Sequence, residues 1–182
     1  MTMIRNETWR TGQTLWADVI AKRPRSIGGH INVGLEYQRS GNVAKAAAHY
    51  QIAMDLAASK RDFRSRDLLA LAQSNLGALM IQAGDLHSAE IALSGVLSLL
   101  PNYGPAVLWL AEIYNKQGRF SETLSLIDTA ITAGFGPGFR QRGLLYVSKA
   151  AALCGIGYSE LADDFLVAAR SLDADIPLVR CE

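Results

Sequence analysis

The sequence has few of the residues that build metal centres and cross-linked frameworks. Its 182 residues include only two cysteines, Cys154 and Cys181, a number that implies neither a disulfide framework nor a thiolate zinc site and leaves open whether the two are reduced or oxidised. The three histidines, His30, His49 and His87, are scattered, and none has the histidine–glutamate spacing that binds zinc from one helix. We therefore expect packed or surface histidines and predict no metal and no cofactor.

The chain also lacks an excess of charge and a long apolar run. Its 18 basic and 17 acidic residues leave a net charge of +1. Because nucleic-acid binding usually requires a strongly basic face, we predict no nucleic-acid partner. The most apolar window, residues 143–157, contains Lys149 and is too short to span a bilayer. Residues 1–10 have no long apolar stretch, so we expect no secretion signal, no membrane insertion and, by default, a soluble cytoplasmic protein.

The acidic residues and glycines form no catalytic constellation. Asp163 and Asp164 are adjacent, so on a helix their side chains point about 100° apart and cannot act on one atom. The glycines within 26–30 and 134–139 follow no predicted strand and therefore form no phosphate-binding loop. Cys154 lies on an apolar helix, where packing is the expected role. We predict no catalytic residues and no enzymatic activity.

One pattern recurs along the chain. A small residue in the middle of a predicted helix is followed seven positions later by glycine, and two such small residues, Gly77 and Ala111, lie 34 positions apart. Small residues let two helices approach closely, and glycine adopts a turn geometry that bulkier residues resist. A period of this length indicates a repeat protein built from helical hairpins. The pattern occurs four times, at Gly34 and Gly41, Gly77 and Gly84, Ala111 and Gly118, and Ala150 and Gly157.

This 34-residue pattern resembles the tetratricopeptide repeat (TPR), a helix–turn–helix unit, over about residues 8–174. The resemblance implies an all-α fold, a right-handed α-solenoid with one N-terminal half-repeat and about four TPR hairpins. The spacing from Gly34 to Gly77 is 43 residues, and we assign the excess to an insertion of extended helix ends and a longer loop. The predicted units are the half-repeat 8–24, the repeat 27–60, the insertion 61–69, the repeats 70–103 and 104–137, a degenerate repeat 143–175 and the tail 176–182.

A stack of such units has a concave face lined by the first helix of each repeat. The resemblance therefore implies a non-catalytic protein–protein interaction scaffold that binds a protein or peptide on this face. Asparagine and glutamine can pair with a peptide backbone, and Trp109 would supply an apolar anchor. The residues expected there are Asn32, Leu35, Gln38 and Arg39 in the first repeat, Asn75, Ala78, Ile81 and Gln82 in the second, and Trp109, Glu112, Asn115 and Lys116 in the third.

The opening of the chain carries a second resemblance. It is similar to the segment after the last transmembrane helix in bacterial multi-pass membrane proteins with C-terminal TPR domains, some of which resemble protein-mannosylating glycosyltransferases. This implies an alternative: an extracytoplasmic TPR domain, or a fragment, of a glycosyltransferase-like membrane protein that docks substrate or partner proteins. The matching residues are Arg5, Asn6, Leu15, Trp16, Asp18, Val19 and Pro24.

The last predicted helix, residues 159–173, is apolar on two faces. One stripe faces the first helix of its own hairpin, and the second expects a further neighbour. We predict that either the tail residues 176–179 fold back over this second stripe, or a second copy of the chain covers it in a homodimer. The inner stripe consists of Ala162, Leu166 and Ala169, and the second stripe of Leu161, Phe165, Ala168 and Leu172.

Overall fold

The structure is a computed structural model that describes residues 11–60, 62–134, 139–176 and 181. This part of the chain contains nine helices and no strand, which confirms the all-α helical-repeat fold. Residues 8–10 of the predicted half-repeat and 135–137 of the third repeat lie outside the described residues. The helices are α1 Gly12–Lys22, α2 Ile27–Arg39, α3 Val43–Ala58, α4 Phe63–Gln82, α5 Leu86–Leu99, α6 Gly104–Lys116, α7 Phe120–Thr132, α8 Phe139–Gly155 and α9 Ser159–Leu172.

The recurring glycines have the backbone conformation that the repeat pattern requires. Each follows the first helix of a pair and adopts a left-handed φ, which side chains with a Cβ rarely tolerate. The chain can therefore leave one helix and enter the next within a few residues. The φ values are 76° at Gly41, 81° at Gly84, 71° at Gly118 and 85° at Gly157.

The segment predicted as an insertion, residues 61–69, contains mostly helix. The side chain of Asp62 accepts a hydrogen bond of 2.8 Å from the backbone N–H of Ser65 and caps α4, which begins at Phe63 and runs for 20 residues. The surplus length therefore extends the first helix of the second repeat, and only a short connection follows α3. Helical structure therefore begins before residue 70, where the second repeat was predicted to start. Arg61 lies outside the described residues.

The chain divides into two compact units, residues 1–92 and 93–182. In the first unit, Ile31 of α2 packs with Ala53 and Ala57 of α3 and with Ala72 of α4. Tyr50 of α3 is fully buried in a neighbouring cluster. Alanine at the contacts between helices lets the helices approach closely, and one aromatic ring fills the remaining space.

The second unit repeats this arrangement. Ala111 of α6, Ile127 and Ala130 of α7 and Leu145 of α8 belong to one buried cluster. A second cluster, which includes Leu153, joins α8 to α9. Helix α8 therefore contributes to both clusters, and its position relative to α6 is set by packing on both sides.

The C-terminal tail is attached to α8 at two points. Ile176 is buried, with only 4% of its surface exposed, and its side chain occupies the space that a Cβ on Gly143 would need. Cys181 forms a disulfide with Cys154 and packs against the cluster between α8 and α9. From the sequence, Cys154 is assigned a packing role, and this disulfide is not predicted. The predicted tail residues 177–179 lie outside the described residues.

The second apolar stripe of α9 is partly covered by its own hairpin. Phe165 meets the ring of Tyr146 edge to face with centroids 5.6 Å apart, and the ammonium of Lys149 lies 4.9 Å from the Phe165 ring centre. Leu172 is half-buried, whereas Leu161 keeps 46% of its surface exposed. That the tail or a second copy of the chain covers the rest of this stripe stays a prediction.

Candidate functional site

An open groove of about 660 Å³ lies between α6 and α8 in the second unit. Its volume falls in the range of sites that hold small molecules or short peptide segments. All four residues predicted for the third repeat border the groove. The lining residues are Pro105, Leu108, Trp109, Glu112, Asn115, Lys116, Gln141, Leu144, Val147, Ser148 and Ala151.

The wall of the groove is largely apolar. Leu108 from α6 and Val147 from α8 also pack against the two buried clusters of this unit, so the groove rests on packed side chains. Trp109 is half-buried, which leaves part of its indole facing the groove. An aromatic ring on a rigid helix loses little side-chain entropy when it contacts a ligand, and this favours Trp109 as an anchor.

Asn115 connects three helices with its side chain. Its amide N–H donates to the backbone carbonyl of Ser148 on α8 at 2.9 Å, and its carbonyl oxygen accepts from the hydroxyl of Thr123 on α7 at 2.8 Å. Thr123 is fully buried. The sequence predicts that Asn115 pairs with a bound peptide, but in the structure its amide and carbonyl hold the groove walls together.

The charged residues of the groove pair with each other. Lys116 donates to Glu112 at 2.6 Å, one turn apart on α6, and the two side chains are 59% and 41% exposed. An exposed pair of this kind contributes little to stability. The groove therefore has no net charge from these residues, and we expect apolar contacts to dominate ligand binding there.

Gln38 of the first unit has a bridging role similar to that of Asn115. Its carbonyl oxygen accepts from the hydroxyl of Tyr50 at 2.7 Å, and its amide donates to Gln82 of α4 at 3.3 Å. Burial of the phenol raises the pKa of Tyr50 to about 12, an effect that the nearby charge of Arg39 partly offsets.

The other residues predicted for the first two repeats have mixed surroundings. Asn32 donates to the carbonyl of Gly28 on its own helix at 2.7 Å. Leu35 packs against both clusters of the unit, and Arg39 pairs with a glutamate one turn earlier. The side-chain nitrogen of Asn75 is buried without a hydrogen-bond partner among the described residues.

The described residues contain neither a metal-holding group nor a membrane-spanning helix. No three histidine, cysteine, aspartate or glutamate side chains converge there in a way that could hold a metal ion. No described helix is both long and apolar enough to cross a membrane.

No protein-family model and no curated protein matches this sequence. Among solved structures, one of the MamA protein covers 97% of this chain and 91% of its own, at 18% identity and a TM-score of 0.65. MamA MSR-1 has 18% identity, coverage of 89% and 97%, and a TM-score of 0.60. MamA is a TPR protein. This chain has the tetratricopeptide-repeat fold. At these identities the likeness concerns the fold alone.

The TPR register could have located the α8 side of the groove. Fixed offsets from the small residue of each of the first three repeats predict the residues of the concave face. Applied to Ala150 in the fourth repeat, the same offsets of −2 and +1 give Ser148 and Ala151, and both line the groove. The signal is therefore present in the sequence, in the repeat that matches the TPR pattern least well.

Proposed function

We propose that this chain is a non-catalytic interaction scaffold that binds a short apolar peptide segment of a partner protein in the groove between α6 and α8. The observation that carries the proposal is the open, largely apolar groove itself, which lies between two first helices of TPR hairpins. Its two charged residues, Glu112 and Lys116, pair with each other. The site thus offers surface for binding and no activated nucleophile, acid or base.

The length of the groove indicates the size of the ligand. From Pro105 to Lys116 along α6 the rise is roughly 16 Å. An extended peptide covers this distance with about five residues. The apolar wall would accept one or two large apolar side chains, and polar groups such as the half-buried Gln141 would contact the peptide backbone.

A peptide selection tests this proposal and does not require the partner to be identified. A random peptide library is selected against the purified chain, and the best peptide is titrated against variants by fluorescence anisotropy. We expect Trp109→Ala to raise Kd about thirtyfold, because a buried aromatic anchor contributes about 2 kcal/mol or more. Ala151→Trp should also weaken binding, because the added indole fills the groove.

The matched control is Val167→Trp. Val167 has 70% of its surface exposed on α9 and does not line the groove, so the same large ring there should leave Kd unchanged. If Trp109→Ala and Ala151→Trp bind the selected peptide as tightly as the unaltered chain does, the groove is not the binding surface.

One observation favours the alternative that this is an extracytoplasmic TPR domain of a glycosyltransferase-like membrane protein. Cys154 and Cys181 form a disulfide, and disulfides persist in oxidising compartments outside the cytosol. Under this alternative the same groove would dock a substrate or partner protein for the membrane-bound enzyme. The reading frame upstream of this chain decides: transmembrane helices encoded there would support the alternative, and their absence would count against it.

A further inference from the structure

Two histidines that are far apart in the sequence meet in the first unit. The Nδ1 atoms of His30 on α2 and His49 on α3 are 3.0 Å apart. The Nε2 atom of His30 is also 3.0 Å from the carbonyl oxygen of Pro24, in the turn between α1 and α2. One hydrogen-bonded chain therefore connects this turn, α2 and α3.

The carbonyl of Pro24 decides which nitrogen carries each proton. A carbonyl can only accept, so Nε2 of His30 is the protonated nitrogen and donates to Pro24. In neutral His30 the Nδ1 atom is then an acceptor, and Nδ1 of His49 must donate to it. This leaves Nε2 of His49 as the site that takes up the first additional proton. The neutral pair thus has one consistent arrangement of protons.

The pair can bind one additional proton but not two. A proton on Nε2 of His49 leaves the contact between the two Nδ1 atoms intact. A second proton must go to Nδ1 of His30, where two N–H groups would then face each other at 3.0 Å and two positive charges would be adjacent. Neither N–H could accept from the other, so the rings must separate.

The surroundings do little to compensate for this second charge. The ring of Tyr37 stacks on His49 with centroids 5.6 Å apart, and the ammonium of Lys45 lies 5.2 Å from the Tyr37 ring centre. A small pocket lies between α1 and the first hairpin, and His49 and Tyr37 line it. The carboxylate of Glu36 also borders this pocket but already pairs with Arg39 at 2.7 Å.

The acidic residue of α1, Asp18, pairs with Lys22 at 2.6 Å and does not line this pocket. The α1 residues that line the pocket are uncharged, and the turn carries two exposed arginines. These residues are Gln13, Thr14, Ala17 and Ile20 on α1 and Arg23 and Arg25 in the turn.

We propose that the His30–His49 pair is a pH-sensitive latch that holds α1 against the first helical hairpin and opens when the pair binds a second proton. Opening breaks the link to Pro24 and releases Ile20, which packs closely over Gly29 of α2. Burial, and to a smaller extent the nearby charge of His30, lowers the pKa of His49. The latch therefore stays closed at neutral pH and opens in acid.

Hydrogen exchange measured by mass spectrometry tests the latch in the full chain. Protection factors, corrected for the intrinsic effect of pH, are compared between about pH 7 and about pH 4.5. We expect protection of α1 to fall by more than about tenfold, while protection of α6 in the other unit stays constant. In His49→Gln the amide can still donate to His30 but cannot titrate, so the acid-induced loss in α1 should be much smaller.

The third histidine supplies the matched control. His87 is exposed on α5, so His87→Gln should respond to acid as the unaltered chain does. The latch is refuted if α1 protection stays constant in the unaltered chain, or if it falls equally in His49→Gln.

Ring NMR of the unaltered chain covers the case in which His49→Gln does not fold. The ring signals of His30 and His49 should change together as α1 protection is lost, because the two rings separate, whereas the ring signals of His87 should not follow the loss of α1 protection. Ring signals of His30 and His49 that change independently of each other, or without any loss of α1 protection, would also refute the latch.

Discussion

Replacing Gly34 by alanine should destabilise the protein, although alanine is the better helix former. A Cβ at Gly34 would lie 2.5 Å from Cε1 and 2.7 Å from Cδ1 of Tyr50. The Tyr50 ring is fully buried, and its hydroxyl donates to Gln38 at 2.7 Å. The ring therefore cannot move away without losing that hydrogen bond or compressing another neighbour.

The expected change in the free energy of unfolding of Gly34→Ala is the sum of three contributions. Alanine gains about 1 kcal/mol over glycine within a helix. Overpacking a dense core costs about 1–3 kcal/mol, and weakening the hydrogen bond of Tyr50 costs about 1 kcal/mol. The free energy of unfolding should therefore fall by about 1–3 kcal/mol. Gly28 on the same helix has no atom within 4 Å of its would-be Cβ, so Gly28→Ala should stabilise by up to about 1 kcal/mol.

Urea denaturation followed by circular dichroism measures this difference between two identical substitutions on α2. We expect Gly34→Ala to unfold at lower urea than the unaltered chain, and Gly28→Ala at equal or higher urea. In a Tyr50→Leu background the cost of Gly34→Ala should shrink, because the ring that it meets is absent. If Gly34→Ala is as stable as Gly28→Ala, the Tyr50 ring tolerates a Cβ at position 34, and close packing there does not require glycine.

Three further predictions concern stability. Cys181→Ser opens a disulfide whose partners are 27 residues apart and should lower the free energy of unfolding by about 3.5 kcal/mol; an unchanged urea midpoint would contradict a structural role. Thr123→Val removes a buried donor to Asn115 and should cost about 1–2 kcal/mol in the same assay, whereas no loss would mean that this bridge is dispensable. Hydrogen bonds from Ser65 lower the pKa of Asp62 from 3.8. Its stabilising contribution is therefore complete above that pH and lost as the pH falls through the lowered value. Asp62→Ala should destabilise at about pH 7, and this loss should shrink as the pH falls below 3.8; a loss independent of pH would refute the role of the charge.

The repeat architecture could be predicted from the sequence because its determinants are local. The turn glycines and the small residues at helix contacts act within one hairpin, and each hairpin repeats the same requirement. The same register predicts that Trp109 and Lys116 share one face of their helix, and both lie on the wall of the groove. Periodicity reports which face of a helix a residue occupies. For Trp109 and Lys116 the face alone determines that they line the groove.

Contacts that occur once in the chain were decided only by the tertiary structure. The contact between His30 and His49 spans 19 residues, and the disulfide between Cys154 and Cys181 spans 27. Neither recurs in other repeats, so no period reveals it. Asn115 shows the same limit: it lies on the groove wall, but its hydrogen bonds to α7 and α8 could not be read from the helical pattern. The pattern of a single helix determines where a side chain points, whereas the group that it meets depends on how neighbouring helices pack.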